Sequence, residues 1–154
     1  QLDLVTQFLG EIEIGLYGAK SYLDRVGRIQ RPEDVWSLDF VGFDQERRLI
    51  EGIQASGYNV DREDFAVRSA ATIAQWQLIL AGCGIGFIPA YQADRDGRLE
   101  RVPLPVPYPR LPLWLTTGSS IRHTPRIASI WDLLRAELPT YTVGTQLQPR
   151  VGRA

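Results

Sequence analysis

Apolar positions along this chain fall into short extended runs separated by stretches with helical spacing. Ile12–Tyr17 is an apolar, extended run, and Gly18 opens a helix-like stretch, Ala19–Val26, which Gly27 is placed to end in the left-handed conformation. Pro32-Glu33-Asp34 reads as a first helical turn, with a proline where its missing N–H costs nothing and acids at the positive dipole end. Asp39–Phe43 is an expected strand, and Arg47–Ala55 a short helix with Leu49, Ile50 and Ile53 on one side, closed by Gly57. After the strand Phe65–Val67, Ser69 is placed to cap a helix over Ala70–Ala81. That helix is apolar nearly all round through Ile73, Trp76, Ile79 and Leu80, so it is expected to be buried on more than one side, with Trp76 and Ile79 in the core. Gly82 ends it, and Ile85–Ile88 is a short buried strand stopped by Pro89. A polar turn at Asp94–Gly97 and a proline-rich crossover, Pro103–Pro112, lead to the strand Leu113–Thr116. Thr124 and Pro125 start the last helix, where Ile127, Ile130, Trp131, Leu134 and Leu138 recur at helical spacing. From Pro139 the tail is polar and expected to be mobile.

Strands alternating with helices predict an α/β fold with mostly parallel strands. The 154 residues suffice for one domain or two small lobes. No apolar run reaches the roughly 18 residues a membrane span needs, and the N-terminus has no signal-peptide pattern. The chain opens at Gln1 and contains no methionine, so it is expected to be a piece of something longer. Its 17 Lys and Arg nearly balance 18 Asp and Glu, for a formal charge of −1, and the signs interleave, as in Asp61-Arg62-Glu63-Asp64. A solvated mixed surface explains this better than a DNA-gripping face, which would show a clustered basic excess. The lone Cys83 excludes an internal disulfide and fits a reducing cytoplasm. With one Cys and one His, a zinc cluster is unsupported, and no metal or cofactor is expected.

Candidate chemistry mostly dissolves on inspection. Ala81-Gly82-Cys83-Gly84-Ile85-Gly86-Phe87 invites a dinucleotide-loop reading, but phosphate loops run from strand to helix, and here glycines leave a helix and enter a strand. Asp94, Asp96 and Gly97 echo a calcium loop without its remaining ligands; a β-turn accounts for them. Gly118-Ser119-Ser120 with His123 lacks the strand–turn–helix setting of a nucleophile, and Cys83 reads as a small buried hydrophobe. Three strand ends resist a bland account: Tyr17-Gly18, Phe43-Asp44-Gln45 and Ser69. In open α/β sheets ligands collect at the carboxyl ends of strands, so these ends are candidates to converge on one small-molecule cleft.

The order of several segments resembles the effector-binding domain of LysR-type transcription regulators. Carrying it are Gly15-Leu16-Tyr17-Gly18-Ala19 with Ser21-Tyr22-Leu23, Arg31-Pro32-Glu33-Asp34-Val35, and the most specific, Ala81 to Pro89. Gly97-Arg98-Leu99-Glu100-Arg101-Val102 and Leu113-Trp114-Leu115 before a closing helix complete it, over residues 1 to 138. The resemblance implies a periplasmic-binding-protein-like (type 2) two-lobe fold, with a complete second lobe and a partial first lobe. Residues 1–13 would end the first lobe, 14–88 form the second, 89–138 return to the first, and 139–154 be a mobile tail. Ile12–Tyr17 and Phe87–Ala90 would be the hinge strands. The implied function is a non-enzymatic, cytoplasmic sensing domain that binds a small-molecule effector between its lobes, with no membrane role. Tyr17, Gly18, Phe43, Asp44, Gln45, Ser69 and Pro89 would line that site, with Ser69 and the helix start behind it favouring an anionic ligand. A homodimer or homotetramer is implied, reading DNA only through a helix-turn-helix module absent from this chain. The alternatives are a solute-binding protein lobe of the same architecture and a small α/β enzyme.

Overall fold

The computed structural model describes residues 3–143 apart from 28, 44–49, 52, 53 and 56. Ile14–Pro109 form one compact unit, and Gln1–Glu13 with Arg110–Ala154 a second. One long strand, β1 (Leu4–Ala19), contributes a stretch to each.

In the Ile14–Pro109 unit the end of β1 is the middle of a sheet. β4 (Ile85–Pro89) pairs with one edge, from Ile14↔Pro89 to Gly18↔Ile85, and β5 (Leu99–Arg101) with the other, from Tyr17↔Arg101 to Ala19↔Leu99. Both are antiparallel to β1 and therefore parallel to each other, joined by the short helix α3 (Ala90–Ala93) and the polar turn. A parallel bridge, Phe40↔Ile85, leads from β4 to the parallel pair β2 (Val41–Phe43) and β3 (Val67–Ser69). Strands β2, β3, β4 and β5 thus run mostly parallel, as expected, and the exception is β1, which is antiparallel to every strand it pairs with. Alternation of strand and helix fixes that crossovers exist, but not that an extra strand lies between the two strands they join.

Two core clusters explain the apolar run in β1. Leu16 packs with Tyr22, Val35, Phe40 and Ile85, while Tyr17 packs with Val41, Ile79, Ile88 and Leu99. Neighbouring residues on a strand point to opposite faces, so both faces here are buried and no polar alternation survives. Each fully buried aliphatic side chain of this kind contributes about 1.5–3 kcal/mol. α1 (Lys20–Val26) adds Tyr22 and Leu23 to the first cluster. α2 (Thr72–Leu80) adds Ile79 to the second.

α2 departs from expectation at its start and on its outer face. It begins at Thr72 with Ala71 as the cap, because the Ser69 hydroxyl accepts the Ala71 N–H at 3.2 Å and holds a turn there instead. Ile73 is 79% exposed and Trp76 half-buried, so this helix buries one face only. At the other end Gly82, at φ 76°, donates to Ile79 O at 3.0 Å, and Cys83 N donates to Leu78 O at 3.0 Å. These two bonds are a Schellman ending. The bend leaves Cys83 exposed, contrary to the buried reading. Gly86 lets α2 close on the sheet: a Cβ there would lie 2.5 Å from Ile79 Cδ1 and 2.9 Å from Val41 O.

The unit runs on through Pro109. Tyr17 Oη donates to Asp94 Oδ1 at 2.6 Å, and Lys20 N to Arg98 O at 2.9 Å. Together with the β5 pairing, these bonds hold α3, the turn and the crossover to the end of β1. The helix expected over 47–55 lies outside the described residues except for Ile50, Glu51, Gln54 and Ala55, which are helical. Pro32–Ser37 is a 3-10 turn with proline at its start, and Asp34 accepts the Arg31 N–H at 3.2 Å.

In the second unit the first part of β1 pairs antiparallel with β6 (Arg110–Gly118), from Leu4↔Gly118 to Glu13↔Arg110, with a register shift between Phe8 and Gly10. α4 (Pro125–Glu137) carries proline in its first turn and buries Trp131, over whose ring the Arg122 guanidinium lies at 4.5 Å. The expected mobile tail lies outside the described residues beyond Val143. Before that, Leu138–Tyr141 forms a 3-10 turn, and Val143 N donates to Glu11 O at 2.7 Å. No helix among the described residues is long and apolar enough to cross a membrane.

Candidate functional site

The start of α2 shapes a groove in the Ile14–Pro109 unit. Gln75 N donates to Ala71 O in the first intrahelical bond, so the Thr72, Ile73 and Ala74 amides have no intrahelical acceptor. The Gln75 side chain turns back, its Nε2 donating to Ser69 O at 2.7 Å. From α2, Thr72, Ile73, Gln75, Trp76 and Ile79 line the groove; β4 adds Phe87, Ile88 and Pro89, and α3 adds Gln92. Its volume is about 230 Å³. Among the described residues, none of the lining side chains is ionisable. Apolar walls with a few hydrogen-bonding groups are the usual make-up of a small-molecule site.

Of the seven residues expected at the site, Pro89 lines this groove. Ser69 ends β3 beside it, half-buried; it does not cap α2, but its carbonyl orients Gln75. Phe43 pairs in register with Ser69 across β2–β3. Asp44 and Gln45 lie outside the described residues. Tyr17 is 1% exposed, a core side chain with its hydroxyl on Asp94. Gly18 is buried against Ile85, whose Cγ2 would lie 2.9 Å from an added Cβ. Tyr17 and Gly18 stand three and four residues along β1 from Ile14, the partner of Pro89. At the strand rise that is about 10–13 Å, so they are not at the Pro89 end.

Sequence reasoning missed Thr72, Gln75 and Gln92 as lining residues. Gln75 did carry a signal, a polar residue between Ile73, Trp76 and Ile79 in a mostly apolar helix, but Gln92 joins only through the packing of α3. The other sequence candidates are not among the groove's described lining residues: Asp96 is held by Arg98 in the polar turn, and His123 is exposed ahead of α4.

The LysR substrate binding domain matches residues 1–139. The chain belongs to that family. Its fold is accordingly the periplasmic-binding-protein-like type 2 fold. Solved LysR-type structures agree. The regulatory domain of CrgA, a LysR-type transcriptional regulator from Neisseria meningitidis, superposes with a TM-score of 0.71 at 20% identity, over 88% of this chain and 69% of that one. The AmpR effector binding domain from Citrobacter freundii gives 0.68 at 15% identity, over 92% and 70%. The regulatory domain of AphB in Vibrio vulnificus gives 0.63 at 17%, over 88% and 70%. This LysR-type chain therefore spans about two thirds of each. At these identities the likeness is one of fold. No curated protein matches the chain in sequence.

Proposed function

We propose that this chain is the effector-sensing regulatory domain of a LysR-type transcription regulator, taking a small molecule in the groove between α2 and β4. The family match over residues 1–139 carries the reading. The groove supports it, because its apolar walls and its amide and hydroxyl groups suit binding without turnover. Within this reading Pro89 contacts the effector, Ser69 and Phe43 set the position of the α2 start, and Tyr17 and Gly18 support the sheet behind it. The domain works in the cytoplasm as part of a homo-oligomer, and the DNA-reading module lies outside this sequence. A bound effector acts by favouring whichever conformation of the regulator it binds better.

The test is a reporter assay on the intact regulator carrying Gln92→Trp, which fills the groove from an exposed position on α3. The variant is expected to keep operator binding and to lose inducer response. A folded variant that responds at the wild-type inducer concentration would remove the groove from the mechanism.

A further inference from the structure

Resting on that reading, we infer that Trp76 is the specificity-determining residue of the groove, a platform on which a single aromatic ring of the effector stacks.

Three of the four tryptophans have their rings engaged by other side chains. Trp36 packs on Phe40 and Tyr58, with ring centroids 5.8 and 5.2 Å away. Trp114 meets Phe8 edge-on at 5.1 Å, and Trp131 lies under the Arg122 guanidinium at 4.5 Å. Trp76 is different. It lines the groove half-buried, and among the described residues its indole has no aromatic, cationic or hydrogen-bonded partner. Phe87, the other aromatic residue of the lining, already stacks with Phe40 at 6.5 Å.

The position of Trp76 in α2 sets it in the middle of one wall. Thr72 and Ile73 before it and Ile79 after it also line the groove, and residues three and four apart share a helix face. An indole open to solvent there is apolar surface that a bound molecule removes from water. A saturated ring of the same size gains that burial alone, whereas an aromatic ring also gains the interaction between π systems. Thr72 stands about 6 Å from Trp76 along the helix axis, so a ring on Trp76 carries a short polar substituent toward the amides at the start of α2. Those amides donate to an acceptor whether it is charged or neutral, so they do not choose between rings; Trp76 does. At about 230 Å³ the groove is smaller than sites for drug-sized ligands, which sets the ligand near one ring with a short substituent.

Benzamide and cyclohexanecarboxamide carry the same uncharged carboxamide, one on an aromatic ring and one on a saturated ring of similar size, which makes them the probes. Titration calorimetry on the whole chain is expected to show benzamide binding about fivefold tighter, the margin an aromatic pair adds to area burial. Trp76→Leu keeps an apolar side chain without a π face, and should bring the two affinities within about twofold of each other. Trp76→Phe should restore the preference, with thermal melts confirming that both variants are folded. In the isotope-labelled chain, the indole N–H signal that disappears in Trp76→Phe should be the one that benzamide shifts most. Were Trp76→Leu to unfold, the affinity ratio and that shift on the unsubstituted chain would still decide. Cyclohexanecarboxamide binding as tightly as benzamide overturns the platform and leaves the sensing groove standing, as does a preference that survives in folded Trp76→Leu. No binding of either probe at millimolar concentration also overturns it, and the Gln92→Trp reporter assay then shows independently whether the groove senses anything.

Discussion

At the scale of single residues, burial and local charge make the sharpest predictions. Ile79 is 1% exposed and touches both the second core cluster and the groove. Ile79→Ala is therefore expected to cost about 2–5 kcal/mol in a urea melt. A loss below about 1 kcal/mol would mean that α2 does not seat on the sheet as described. Asp96 is held at about 2, chiefly by the Arg98 guanidinium, which donates from Nε at 2.9 Å and from Nη2 at 2.7 Å, and then by the Arg98 backbone N–H. Its folded value is depressed, so whatever stability this contact adds is present above the unfolded carboxylate value near 4 and disappears as pH falls through about 2. Arg98→Ala should return the Asp96 titration, followed by carboxyl NMR, toward the ordinary range near 4. An Asp96 midpoint unmoved by that change would show that the guanidinium is not its cause.

The behaviour of α2 is decided by its two ends. Gly82 holds φ 76°, so Gly82→Ala is expected to cost about 1–2 kcal/mol. Gly82→Asn should cost less, since Asn tolerates the left-handed region better. At the other end, Ser69 is not the cap, so Ser69→Ala forfeits a single hydrogen bond to Ala71, about 0.5 kcal/mol. Thermal melts of the two alanine variants should therefore differ clearly. Equal losses would restore Ser69 as the helix cap. The C-terminal stop was legible in the sequence because one glycine after an apolar run suffices to specify it. The start was not, because Ser69 had two local options and the pairing of β3 with β2 chose between them.

For the molecule as a whole, the apolar surface matters most. Leu4, Leu111, Trp114, Ile130 and Leu133, all in the unit built from β6 and the first part of β1, are each more than half exposed. Apolar surface in that amount normally finds a partner. Sedimentation of the purified chain should show association that grows with concentration, and Trp114→Glu with Ile130→Glu should reduce it. A monomer at every concentration would count against this expectation.

By itself the sequence determined what depends on neighbours along the chain. Most of the order of strands and helices (apart from the helix Ala90–Ala93 and the strand Leu99–Arg101), the buried run in β1, the stop at Gly82 and the start at Pro125 follow from spacing and from the conformational limits of glycine and proline. The α/β class and the family were legible for the same reason, as an ordered series of local signals. Only the tertiary structure decided what depends on residues far apart. The antiparallel seating of β4 and β5 on β1, the unit boundary at Pro109 and the bond from Tyr17 to Asp94, 77 residues away, are of this kind. The groove belongs with them. Its lining comes from two helices and a strand, and the Gln75 side chain that lines it is held by Ser69 O, six residues earlier.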